Sequence, residues 1–154
     1  MKKRNIYIFF IATSILTGIL SALITSSNMD IFGTVLKPPL TPPAVVFPVV
    51  WTILFTLMGI SAARIYINNE NKWNYSLTVW SIQLAVNFIW SIIFFNLQAF
   101  LFAFIWLLLL WVLILFMIIL FYRQDKLAGL LQIPYLIWVT FAGYLTLSIY
   151  LLNN

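Results

Sequence analysis

Residues 73–122 read WNYSLTVWSIQLAVNFIWSIIFFNLQAFLFAFIWLLLLWVLILFMIILFY, 50 positions without one Asp, Glu, Lys or Arg. A helix that crosses the hydrocarbon of a bilayer needs about 20 apolar residues, so this run is too long for one span and suited to two. Its polarity rises between two apolar stretches only at Asn96-Leu97-Gln98, which places the turn there. Working outward, residues 5–29, 38–63 and 127–154 are also free of charge and hold one helix each. The reading is an all-α membrane protein, a five-transmembrane-helix bundle forming a single domain over 1–154, with helices near 6–27, 44–67, 76–95, 99–122 and 128–151. The one long loop, 28–43, contains Lys37-Pro38-Pro39-Leu40-Thr41-Pro42-Pro43. Prolines fix φ and cannot continue a helix, so this segment is expected to form a stiff, partly extended lid built on Pro38, Pro42 and Pro43.

Composition excludes the alternatives. The chain is 64% hydrophobic and 7% charged, where a soluble domain carries about 25% charged residues. Eleven charged side chains cannot clothe a water-soluble fold of 154 residues, and 18% aromatic content is far from the signature of disorder. The absence of Cys removes disulfides and thiol chemistry, and the absence of His removes imidazole metal sites and Ser-His-Asp triads. The acids Asp30, Glu70 and Asp125 are scattered, so neither a metal site nor a resident cofactor is expected. The net charge of +5 forms no basic stripe, which argues against a nucleic-acid partner.

The charges report topology instead. Five spans put Lys2, Lys3, Arg4, Arg64, Lys72, Arg123 and Lys126 on one face and Lys37 alone on the other. That bias points to a cytoplasmic N-terminus, with the first loop and the C-terminus outside. Met1-Lys2-Lys3-Arg4 and the apolar stretch after it are similar to a signal peptide, but the stretch is longer than the roughly 7–15 residues of one, and a retained helix is expected. The short chain and Lys-rich start fit a bacterial inner membrane.

Inside the spans the notable groups are neutral and aromatic. Gln83, Asn87 and Ser91 recur every four residues and share a helix face, with Trp80, Trp90 and Phe94 beside them. Phe47, Trp51, Phe55 and Gly59 share a face of the second helix, and Tyr135, Trp138, Ala142 and Leu145 share one of the fifth. By spacing alone the polar stripe reads as interhelical hydrogen-bond glue at least as readily as a ligand site. Trp51 and Trp138 lie too deep for the interfacial belt, whereas Trp73, Trp80 and Trp111 fit it. A ladder of small residues, Ser14, Gly18, Ala22 and Ser26, permits close packing within the bundle or across a dimer.

These features together resemble the TspO/MBR family (tryptophan-rich sensory protein, translocator protein, peripheral benzodiazepine receptor). The resemblance rests on Lys37-Pro38 with Pro42-Pro43, on Phe47-Pro48-Val49-Val50-Trp51-Thr52 with Met58-Gly59, on Asn87-Phe88-Ile89-Trp90-Ser91 with Phe94-Phe95, and on Ile133-Pro134-Tyr135-Leu136-Ile137-Trp138 with Phe141-Ala142. It implies a five-helix bundle, often dimeric, with a pocket beneath the first loop that takes tetrapyrroles such as protoporphyrin IX and benzodiazepine-type compounds. By the matching motifs the ligand would meet Trp51, Phe55, Asn87, Trp90, Ser91, Phe94, Trp138 and Ala142, to which the polar stripe adds Gln83. The sequence departs from the family at Leu40 and at Ile31-Phe32, where the family has Trp and a Trp-Tyr pair. It departs again at Trp106, where an acidic residue is common, and at Thr146, where Asn is usual.

Three functions follow as expectations. The first is a receptor that stacks a flat, apolar tetrapyrrole between indole faces in the bilayer. A second is a photo-oxidative enzyme in which Trp51 and Trp138 exchange an electron or hydrogen atom with a photoexcited porphyrin; no conventional catalytic constellation is present. The third is a transporter of porphyrin or lipid-like molecules.

Overall fold

The computed structural model describes residues 1–154. Seven helices, α1 (Lys3–Thr25), α2 (Ile31–Thr34), α3 (Val46–Asn68), α4 (Tyr75–Ser91), α5 (Phe100–Gln124), α6 (Lys126–Leu130) and α7 (Ile133–Leu152), account for most of the chain. Five stretches are long and apolar enough to cross a membrane: Lys3–Asn28, Val46–Asn68, Tyr75–Asn96, Phe100–Gln124 and Lys126–Leu152. In hydrocarbon every backbone N–H and C=O must be paired within the segment, which leaves helices as the form these apolar runs can take. The span ends agree with the sequence reading to within a few residues.

Local chemistry sets the ends. Asn74 caps α4, its side chain accepting from the Leu77 N–H at 3.3 Å, and Asp125 caps α6, accepting from the Ala128 N–H at 3.1 Å. α4 widens into one π-helical turn, Ile92–Asn96, closed by Leu97 N–H to Ile92 O at 3.0 Å. That turn carries Asn96 toward the first helix, where it accepts from Asn28 Nδ2 at 2.9 Å. The chain then reverses through Gln98 at φ 51, so the expected break at Asn96-Leu97-Gln98 is where the helix ends.

Two features differ from the sequence reading and a third adds to it. The fifth span is two pieces, because Leu131-Gln132 form a turn after Gly129 packs directly on Tyr122 and before Pro134 starts α7. The loop, expected to be partly extended, also carries one helical turn, Ile31–Thr34. Trp80 is not interfacial: it is 2% exposed and packs edge-on against Phe10 at 5.4 Å.

α1 lies along α3, α4 joins α1 to α5, and α5 joins α4 to α7. Buried positions on α5 recur at Ala103, Leu107, Leu110, Ile114, Met117 and Phe121, alternating steps of four and three that keep one stripe inward. Its opposite face, including Ile105, Leu108 and Val112, is exposed, as a lipid-facing surface would be. At Gly59 the backbones of α1 and α3 nearly touch; a Cβ there would stand 2.4 Å from Ile11 Cα.

The two halves of the bundle are built differently. In the half remote from the first loop, Met58, Ala62, Ala63, Ile65 and Leu77 have no exposed surface, and the core is filled. Near that end Arg64 pairs with Asp125 at 2.8 Å, and Asn68 donates to the same carboxylate at 2.7 Å. Lys2, Lys3, Arg4, Lys72, Arg123 and Lys126 gather at this end and Lys37 stands at the other. The half under the first loop is hollow.

Candidate functional site

The hollow is a partly open cavity of about 550 Å³ bordered by the loop-side halves of α1, α3, α4 and α7. Each wall follows from a helix face with small or aromatic side chains. α1 contributes Gly18, Ser21, Ala22 and Thr25; α3 contributes Phe47, Trp51, Thr52 and Phe55; α4 contributes Asn87, Trp90, Ser91 and Phe94; α7 contributes Trp138, Ala142, Leu145 and Thr146.

Aromatic contacts make the seams. Phe32 of the loop packs on Phe47 at 5.1 Å, and Phe47 on Trp138 at 5.7 Å, which joins lid, α3 and α7. One turn deeper Trp51 meets Tyr135 at 6.2 Å. Across the cavity Trp90 stacks on Phe94 at 5.3 Å. Trp106 and Trp111 give their indole N–H groups to Val86 O and Thr140 Oγ1, whereas those of Trp51, Trp90 and Trp138 have no partner in the protein.

Polar groups on the wall are largely turned inward on their own helices. Thr25, Thr52 and Thr146 donate to the carbonyls four residues earlier, those of Ser21, Pro48 and Ala142, at 2.8, 2.7 and 2.7 Å. To a ligand the wall is therefore nearly apolar, with a few placed polar atoms.

Of the residues singled out from sequence, Trp51, Phe55, Asn87, Trp90, Ser91, Phe94, Trp138 and Ala142 all line this one cavity. Gln83 does not. It lies one turn further from the loop with no exposed surface, and its Oε1 accepts from the Tyr135 hydroxyl at 2.8 Å. Tyr135, 1% exposed, in turn accepts from Asn87 Nδ2 at 2.7 Å, so the pair forms the layer beneath the floor. The lid prolines are also displaced from the cavity. Pro42 and Pro43 border a separate outer hollow with Asp30 and Lys37, Pro38 is buried, and the loop residues over the cavity are Met29, Phe32 and Ala44. Lys37 at the outer rim donates to Phe32 O at 2.9 Å and lies 5.0 Å above the Phe32 ring.

The first helix is what sequence reasoning missed. Its small-residue ladder reads as packing, and Gly18 does pack: a Cβ there would stand 2.6 Å from the Phe55 ring. The same face also forms a cavity wall, and the ladder was the signal that could have shown it.

Fold and cavity define a helical membrane protein with an aromatic-walled pocket in one half of its bundle. Residues 10–152 match the TspO/MBR family, and the chain belongs to that family. It is 41% identical over 124 residues to Protein CrtK of Rhodobacter capsulatus, covering 79% of this chain and 78% of the relative. It is 40% identical over 124 residues to the tryptophan-rich protein TspO of Chlorobaculum tepidum, with the same coverage of 79% and 78%. The TspO of Bacillus cereus is 30% identical over 157 residues, 99% of each chain.

Proposed function

We propose that the protein is an integral membrane receptor or sensor that takes a flat, largely apolar aromatic ligand, a tetrapyrrole such as protoporphyrin IX, into the cavity. The observation that carries this reading is the arrangement of indoles. Trp51, Trp90 and Trp138 come from three different helices to one cavity of about 550 Å³, within the roughly 300–1,000 Å³ of small-molecule sites. Opposed aromatic walls favour a planar guest over a globular one. Lys37 stands at the rim where carboxylates of such a guest would emerge. The charge distribution supports a topology with the loop face outside, the bacterial relatives support an inner-membrane setting, and a homodimer is compatible with the exposed apolar helix faces.

Protoporphyrin IX should quench tryptophan fluorescence saturably in the dark, in detergent, and Asn87→Ala and Trp138→Phe should both weaken it. Equal, non-saturating quenching in all three proteins would mean partition into micelles and would remove the receptor reading.

A second reading is favoured by the presence of Trp51 and Trp138 in the same cavity: photo-oxidative consumption of the bound macrocycle. Light-dependent porphyrin loss that disappears in Trp51→Phe or Trp138→Phe supports it. Identical bleaching in the variants sinks it.

A further inference from the structure

Beneath the cavity floor a hydrogen-bond chain has a fixed direction. Gln83 has no exposed surface, so its amide must find partners inside the protein. One end faces the Met58 sulfur at 3.7 Å. A thioether accepts weakly and cannot donate, so the amide oxygen would gain nothing there and Nε2 must occupy that side. Oε1 then accepts from the Tyr135 hydroxyl at 2.8 Å. A phenol has one proton. Having given it to Gln83, Tyr135 meets Asn87 only as an acceptor, and Asn87 Nδ2 donates to it at 2.7 Å. What remains of Asn87 is Oδ1, which has no partner in the protein, and the second proton of Nδ2, on a residue that lines the cavity.

Three of the wall hydroxyls add further acceptors, beside the unpartnered indole N–H groups of Trp51, Trp90 and Trp138. Thr25, Thr52 and Thr146 have each committed their proton to their own helix, leaving lone pairs for anything in the cavity.

We infer that the cavity floor is a directional hydrogen-bond acceptor, Asn87 Oδ1, held in that sense by Tyr135 and Gln83, and that it selects ligands bearing an N–H or O–H at the edge they bury deepest. The inference rests on the reading that the cavity receives a flat aromatic ligand and names the chemistry of that ligand's buried edge; protoporphyrin IX, whose N–H groups lie at the ring centre, would not use this acceptor, whereas a flat aromatic with an N–H or O–H at its rim would. Gln83 and Tyr135 are positioning residues that never touch the ligand. A carboxylate is disfavoured at the floor, because no cation lines the cavity to offset its desolvation. An anionic group therefore belongs at the mouth, beside Lys37.

Carbazole, fluorene and dibenzofuran test this, being flat tricycles of nearly equal shape that differ at one edge atom: N–H, CH₂ or ring oxygen. Titration calorimetry on the full chain in detergent should give carbazole a preference of about tenfold over fluorene, the worth of one buried hydrogen bond. Dibenzofuran should bind no tighter than fluorene. Asn87→Leu removes the acceptor while sparing the Tyr135–Gln83 bond, and should abolish the preference. Tyr135→Phe frees the Asn87 amide to turn, and should bring the carbazole-to-fluorene ratio toward one. That ratio separates positioning from general loosening of the fold, which would weaken all three probes together, and micellar partition cancels between proteins. Equal affinity for the three in the native chain, or a preference that survives Asn87→Leu, overturns the inference. Protoporphyrin IX titrated in parallel keeps the two readings apart. Saturable porphyrin binding without a carbazole preference removes the floor assignment alone; a carbazole preference without porphyrin binding removes the tetrapyrrole reading alone.

Discussion

The Asn153 side chain closes a two-point clasp on the backbone of Leu36, its Oδ1 accepting from the Leu36 N–H at 3.0 Å and its Nδ2 donating to the Leu36 carbonyl at 3.0 Å. The end of α7 thereby holds the loop in the manner of a neighbouring strand. Tyr144 adds a second tie by donating to Pro39 O at 2.9 Å. Each bond contributes on the order of 0.5–1.5 kcal/mol. Asn153→Ala should therefore raise hydrogen exchange at Leu36 and speed release of a bound porphyrin several-fold, with Tyr144→Phe having a smaller effect. Unchanged exchange at Leu36 in Asn153→Ala would show that the loop is held without the Asn153 clasp.

The two glycines on the α1–α3 seam should respond differently to a methyl group. At Gly59 the added carbon meets Ile11 Cα at 2.4 Å, so backbone must move. Overpacking of that kind costs about 1–3 kcal/mol, and Gly59→Ala should lower the unfolding temperature in detergent. At Gly18 the obstacle is the Phe55 ring at 2.6 Å, which borders open space. Gly18→Ala should keep most of the stability and push Phe55 into the cavity, so its main effect should be weaker ligand binding.

Asp125, in the turn between the fourth and fifth spans, links stability to pH. Burial pushes its carboxyl up, but the Arg64 guanidinium and the Ala128 N–H outweigh that and hold it below the ordinary 3.8. A carboxyl whose folded pKa is depressed stabilises fully above its unfolded value, and the contribution is lost as pH falls through the folded one. Thermal stability should be insensitive to this group at neutral pH and fall from about pH 4 downward, a decline that Asp125→Asn should flatten. Asp125→Ala also loses the α6 cap, about 0.5–2 kcal/mol, and should be the less stable of the two variants. An equally steep acid decline in Asp125→Asn would assign it to other groups.

A chain without cysteine makes the orientation simple to read. In intact bacterial cells an impermeant maleimide should label Gly33→Cys and Asn154→Cys, and should reach Asn71→Cys only after permeabilisation. The reverse pattern would invert the bundle.

Span number and the cavity-facing sides of α3, α4 and α7 were legible because both depend on simple periodicities. Absence of charge marks what lipid accepts, and steps of three and four residues mark a helix face. Depth was not legible. Gln83 shares a face with Asn87 and Ser91, yet it sits one turn below the cavity, and only the packing of Tyr135 across the bundle decides where the floor lies. Trp80 was misjudged for a related reason. A tryptophan near the end of a span reads as interfacial, but α4 is the most enclosed helix and Phe10 covers the indole. The break at Leu131-Gln132 had signals in Gly129 and Pro134, but neither interrupts the run of uncharged residues used to count spans.

The unequal halves of the bundle mean that the chain supplies only part of its own hydrophobic core. Where Met58, Ala62 and Leu77 fill the interior, opening the structure requires something close to global unfolding. Around the cavity fewer contacts resist, and cooperative units of that kind open locally at lower free energy. A guest between α3, α4 and α7 would complete the missing packing and stabilise by mass action only the state that encloses it. The amides that gain protection from exchange on binding would then be those of the loop-side turns, with the charged end of the molecule scarcely registering whether the site is occupied.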